Sequence, residues 1–139
     1  MSAPCSPKDQ IGGIIYLPRL CDKIRLFEKG ELPEDYHANL GHGMDRWTCE
    51  FLGVNYEDLA AEVRKGATDD EILEWCQDNG KSRPDYEYEW WVSYMTNRGF
   101  RDDLSERLAE RKQEAGWADR NDIQSFMDYL DADEGRGTY

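Results

Sequence analysis

Glycines fall along this chain at a spacing that leaves no room for a long helix or a long strand. Gly30, Gly53, Gly66, Gly80 and Gly116 each follow a stretch whose apolar residues recur at helical intervals. Glycine closes such stretches because it enters the left-handed conformation of a final turn without steric cost. The starts are marked too. Thr68 with Glu71 three positions later is a capping box, Asn55 can cap a helix, and Pro18 and Pro84 suit first turns, where no amide hydrogen is needed. A chain punctuated in this way is restricted to short helices that bury their apolar faces against one another.

Leu17, Leu20, Cys21, Ile24 and Phe27 form the stripe of a first helix that ends near Gly30. Met44, Trp47, Phe51 and Leu52 predict a second, ending at Gly53, and Leu59 and Val63 a third before Gly66. Ile72, Trp75 and Cys76 predict a fourth, and residues 84–98 a fifth. Asp102 or Asp103 opens a sixth, with Leu104, Leu108 and Ala115 on one face, and Asp119 precedes a last one holding Ile123, Phe126, Met127 and Leu130. The segment IGGIIYL at 11–17 suits a short extended piece. The expected fold is all-α: a single compact domain of about seven short helices. It occupies residues 17–131, after an irregular N-terminal arm at 1–16 and before a frayed acidic tail at 132–139.

The 139 residues suit one domain, long enough to bury roughly two thirds of its unfolded surface. Thirty acidic residues against 17 basic give a net charge of −13, which repels phosphate backbones and anionic membranes, so neither nucleic acid nor membrane is expected as a partner. Five tryptophans and eight tyrosines argue against disorder. No window approaches the roughly 18 to 20 apolar residues of a bilayer span, and the opening MSAPCSPKDQ is too polar for a secretory leader. Cys5, Cys21, Cys49 and Cys76 show no short metal spacing. They read as reduced thiols of a cytoplasmic protein, Cys5 exposed in the polar arm and the others buried.

Both histidines lie in EDYHANLGHGMDRW at 34–47. His37, His42, Asp45 and Cys49 offer suitable donors for zinc or iron, but the histidines are five apart across Gly41 and Cys49 has no close second cysteine, so no metal is expected. DADEG at 131–135 lacks the further ligands and the distal glutamate of a calcium loop. On the first helix, Arg19, Asp22 and Lys23 cluster opposite the apolar stripe, with Leu26 among them; a leucine inside a charged face implies that the face is covered. Covered, Arg19 and Lys23 make an anion site that Asp22 positions; exposed, the three are an ordinary surface cluster. Helix 84–98 carries two stripes: Tyr86, Trp90 and Tyr94, and Tyr88, Trp91 and Met95. One must face the core, and the other needs a second layer, a pocket or another subunit.

The blocks GGIIYLPRLCDKIR at 12–25 and EDYHANLGHGMD at 34–45, with FLGV, TDDEILEWCQDNG and the ending ERLAERKQEAGWADRNDIQSFMDYLDADEGR, resemble the bacterial family known as domain of unknown function 5069 over nearly the whole chain. The family pattern falls on Gly12, Gly13, Leu17, Pro18, Arg19, Asp22, Lys23, Tyr36 and His37. The resemblance implies no activity, but it joins Arg19, Asp22, Lys23, Tyr36 and His37 in one polar cluster.

Two functions are therefore expected as alternatives. In the first, the protein binds a small anionic metabolite, with Arg19 and Lys23 as the clamp, Asp22 orienting them, and Tyr36 and His37 as polar contacts. Were that site catalytic, His37 is the group that moves a proton near neutral pH, with Tyr36 as partner; no nucleophile, phosphate loop or cofactor motif names a reaction or a cofactor. In the second, the protein is a non-catalytic homo-oligomeric assembly module that docks through Tyr86, Trp90, Trp91 and Tyr94, and the Arg19 cluster is a structural ion-pair network.

Overall fold

The computed structural model describes residues 2–138. Among them Gln10–Ile11 (β1) and Ile14–Ile15 (β2) pair antiparallel, Gln10 opposite Ile15 and Ile11 opposite Ile14. Gly12 and Gly13 make the two-residue turn at φ of 56° and 83°, the positive values that a primed hairpin turn requires. Seven α-helices follow: α1 (Leu17–Glu28), α2 (Met44–Leu52), α3 (Tyr56–Arg64), α4 (Asp69–Asn79), α5 (Asp85–Thr96), α6 (Ser105–Glu114) and α7 (Phe126–Asp133). A 3-10 turn at Glu34–Asn39 links α1 to α2.

The helices start and stop for the expected local reasons in most places. Pro18 sits in the first turn of α1, Asn55 accepts the Asp58 amide, and Thr68 and Glu71 exchange both bonds of a capping box. Gly53 closes α2 in the left-handed region. The C-terminal third differs. Ser125, not Asp119, caps α7, while buried Ile123 lies before the helix, because the chain at 116–124 is committed to turns. Asp102 spends its carboxylate on the amides of Gly99 and Leu104 in the turn before α6, and Ala115 is exposed past the end of that helix.

One core runs through the molecule. Leu17, Leu20, Cys21 and Ile24 of α1 are buried with Ile11, Ile14 and Ile15 of the hairpin, Leu52, Leu59, Ala60, Val63, Ile72, Met95 and Met127. Phe27 departs from its stripe: it is 42% exposed and stands edge-on to His37, rings 4.9 Å apart. α5 divides as its two stripes require, with Trp91 and Met95 inward and Tyr86, Trp90 and Tyr94 outward.

Both terminal segments are packed among the described residues: the arm expected to be irregular carries the hairpin, and residues 132–138 of the tail expected to fray are held against it. Pro4 and Pro7 are fully buried, and Glu134 keeps only 2% of its side chain exposed. Lys8 donates to the Asp128 carboxylate and to the Thr138 carbonyl, while Arg136 reaches the Pro4 carbonyl and the carboxylates of Asp131 and Glu134. Charged residues that look solvated in the sequence are here matched across the two ends of the chain.

Far-UV circular dichroism should show helix near the 56% of this architecture, well above the roughly one-third average of globular domains. Gly80 gives a sharper test of packing. A Cβ there would lie 2.3 Å from the Leu52 carbonyl oxygen and 2.6 Å from that of Cys76, both backbone atoms. Gly80→Ala should lower stability by about 1–3 kcal/mol, read from the denaturant midpoint, as overpacking against unyielding atoms does.

Candidate functional site

The polar face of α1 is covered, and acids far away in sequence do most of the covering. Arg19 makes a two-pronged pair with Glu134, Nη1 to Oε1 at 2.8 Å and Nη2 to Oε2 at 2.7 Å, and Nη1 also donates to the Cys5 carbonyl. Both side chains are almost wholly buried, 3% and 2% exposed. Tyr36 donates its hydroxyl to Glu134 at 2.8 Å, and Arg136 donates to it at 2.6 Å. One turn along, Lys23 donates to Asp45 at 2.9 Å and lies 3.4 Å from the Tyr16 hydroxyl. Asp45, at the start of α2, also accepts from Tyr16 at 2.7 Å and from the Gly41 amide at 3.0 Å.

Electrostatics follow from that geometry. Burial alone would raise the Glu134 carboxyl, but its bonds to Arg19, Arg136 and Tyr36 outweigh this and hold it below the usual glutamate range. Burial lowers the Lys23 amine against the opposing pull of Asp45. It raises Tyr16 and Tyr36, so both hydroxyls remain neutral donors at ordinary pH. Tyr16 is also bent to a φ of 76°, a left-handed conformation that costs a bulky residue about 1–3 kcal/mol. The Asp45 bond and the Tyr16 amide's bond to the Asp9 carbonyl hold it there.

Over this network opens a cavity of about 480 Å³. Tyr16, Arg19 and Lys23 line one side; Tyr36, Asn39, His42 and Met44 another; Tyr129 and Leu130 of α7 and Arg111 of α6 close it. Two donors of the cations that line it are left over. The buried Arg19 Nε has no partner among the described residues, and the Lys23 ammonium, with three protons, has only Asp45 and Tyr16 to bond. A larger cavity of about 610 Å³ lies between the hairpin turn, α4 and α5. It offers no comparable buried donor: its Arg83 is already bound to the Phe51 carbonyl and to Glu87, and Lys81 is exposed.

Of the residues singled out in the sequence, Arg19, Lys23 and Tyr36 come together and line the cavity. Asp22 does not: its carboxylate accepts the Cys5 amide, so Glu134 and Asp45 do the orienting that Asp22 was expected to do. His37 does not either, because its Nε2 bonds the Leu32 carbonyl at 3.0 Å and its ring meets Phe27. The histidine on the cavity is His42. Arg111 and Tyr129 escaped sequence reasoning, and Asp45 and Glu134 entered it only as metal donors, since helical spacing carries no information on which acid crosses to which cation.

No three histidine, cysteine or acidic side chains among the described residues gather as a metal site. Cys5 is half-buried, and burial followed by Asp22 pushes its thiol up to about 12; burial pushes Cys76 up to about 11. Neither is a thiolate near neutral pH. No helix among the described residues is long and apolar enough to cross a membrane.

These features define a small, mostly helical domain with a buried ion-pair network beneath a polar cavity. A family model described as "Domain of unknown function (DUF5069)" matches residues 1–136, and the chain belongs to that family. No curated protein matches it.

Arg19→Ala would leave Glu134 buried beside Tyr36 and Arg136 alone, and chemical denaturation should show a loss of about 3–5 kcal/mol. A second test is pH. Because the folded Glu134 carboxyl titrates below its ordinary value of 4.5, its contribution is present above that value and is lost as pH falls through the lower folded one. Glu134→Gln should therefore be less stable than wild type at pH 7, with the difference narrowing as pH falls below about 4.5.

Proposed function

We propose that the protein binds a small metabolite carrying a single anionic group in the cavity between α1, the 3-10 turn and α7. The observation that carries this reading is that two cations lining the cavity keep donors in reserve, Arg19 at its buried Nε and Lys23 with one proton. A buried donor without an acceptor costs about 1–3 kcal/mol, and a carboxylate or other acceptor of a ligand would remove that cost.

Charge limits the ligand. Glu134 neutralises Arg19 and Asp45 neutralises Lys23, so these cations act as hydrogen-bond donors with little net field. Arg111 brings a positive charge with no salt-bridge partner among the described residues, while Asp35 and Asp133 also line the opening. Such a surround suits one carboxylate with neighbouring hydroxyl or carbonyl groups, and disfavours a polyphosphate. Tyr36, Asn39, His42 and Tyr129 supply polar contacts that can donate or accept.

A thermal-shift series with short hydroxy- and keto-carboxylates, inorganic phosphate and nucleoside triphosphates tests the reading. A monocarboxylate at about 100 times its Kd should add about 2.7 kcal/mol of stability, and the triphosphates should add none. Arg111→Ala and His42→Ala change exposed residues, so each should keep the unliganded midpoint within about 0.5 kcal/mol while weakening the response. Absence of any shift across the series would make the network architecture alone.

A further inference from the structure

The aromatic face of α5 is smaller than expected: Trp91, expected beside Tyr86, Trp90 and Tyr94, is 7% exposed and stacked on Phe51, because adjacent residues of a helix point about 100° apart. The cavity between α1, the 3-10 turn and α7, by contrast, holds a group that anion binding alone leaves unused. Lys23 is the only buried lysine among the described residues, 4% exposed. Its amine lies 2.9 Å from the Asp45 carboxylate and 3.4 Å from the Tyr16 hydroxyl. Tyr16 lines the cavity, and Asp45 directly follows the lining residues Gly43 and Met44, so the amine end of Lys23 is the end that the cavity meets.

We infer, on the binding reading above, that Lys23 is a nucleophile that forms an imine with the carbonyl of a short 2-oxo carboxylate. A protonated amine cannot attack a carbonyl, and Asp45 is within hydrogen-bond reach to take the proton. Burial of the amine already makes that proton easier to lose. Burial also keeps the Tyr16 hydroxyl protonated, as a donor beside the reacting nitrogen. Tyr16 reaches Asp45 and Lys23 from a left-handed backbone, φ 76°, and strain held in this way gathers at functional sites. Arg19, one helical turn from Lys23 on the same wall, and Arg111, which closes the cavity, are the cations for the carboxylate, which leaves the carbonyl to the amine.

The step balances within the site. The ammonium gives one proton to Asp45, the freed lone pair forms the C–N bond, and the carbonyl π pair moves to oxygen. Tyr16, bonded to Asp45 at 2.7 Å, relays that proton to the oxygen. A second proton follows from nitrogen by the same route, the oxygen leaves as water with the C–O bonding pair, and the nitrogen lone pair completes the C=N bond. The iminium keeps the positive charge of the ammonium, so buried Asp45 has a cation beside it before and after the step.

Sodium cyanoborohydride fixes an imine as a stable amine, and sodium pyruvate serves as the 2-oxo acid. The full chain should gain the mass of one pyruvate less one oxygen atom, and peptide mapping should find Lys23 labelled at least about tenfold faster than exposed Lys29 and Lys65. Lactate, which has no carbonyl to react, should slow labelling at Lys23 and leave Lys29 unchanged. Lys23→Arg keeps a cation for Asp45 and should lose the fast adduct; if that variant does not fold, the map of the wild-type protein decides alone. Labelling of Lys23 no faster than of Lys29 and Lys65, in a protein that pyruvate and lactate both stabilise against heat, overturns the imine and leaves the binding reading standing. The same slow labelling without any thermal shift overturns both.

Discussion

Arg19 and Glu134 stand 115 positions apart in the chain and meet in a two-pronged pair that excludes nearly all water. Glu134 cannot be left buried without that guanidinium, and Arg19 cannot be left buried without an acid. Once the pair forms, the other positions around it follow. The Cys5 carbonyl is drawn onto Arg19, Tyr36 is turned toward Glu134, and Arg136 joins Glu134 to Asp131 and the Pro4 carbonyl. The N-terminal arm, the first helix, the 3-10 turn and the end of the last helix are thereby fixed to one another.

A second buried acid does the same for the neighbouring elements. Asp45 joins α2 to Tyr16, to Lys23 and to the Gly41 amide, and so holds the left-handed Tyr16 against the start of α1. The two networks share the α1 face and differ in outcome. Glu134 is bonded by three side chains on its two oxygens, whereas the cations opposite keep donors in reserve. The character of the α1 face comes from that imbalance: Arg19 and Lys23 are matched in charge and incompletely matched in hydrogen bonds.

Much of the site's outline could be read in advance, and its chemistry only in part. Leu26 among charged residues showed that the Arg19 and Lys23 face is covered, and helical periodicity placed those two side by side. Asp22, one residue from Lys23 in sequence, was the natural acid to assign to them. It turns instead to the Cys5 amide. The choice between His37 and His42 was equally closed to sequence, because it depends on the 3-10 turn, which aims His37 back at the Leu32 carbonyl. The acidic ending looked solvated because two of the cations that match its acids, Arg19 and Lys8, lie at the opposite end of the chain, with only Arg136 nearby.

The sequence by itself determined the seven helices, most of their limits, and the two-faced character of α5. These depend on caps, glycine stops and apolar period, all of which act within a turn or two of chain. Ser125 shows the edge of that reach, since Asp119 looks as good a cap until the turns between them are known. Only the tertiary structure decided which acid meets which cation, which histidine faces the cavity, and that both ends of the chain are packed. The packed ends and the Arg19–Glu134 pair are set by contacts between residues more than a hundred positions apart, Lys23–Asp45 by one of 22 positions and the histidine by the 3-10 turn, and in none of these does spacing or residue type name the partner.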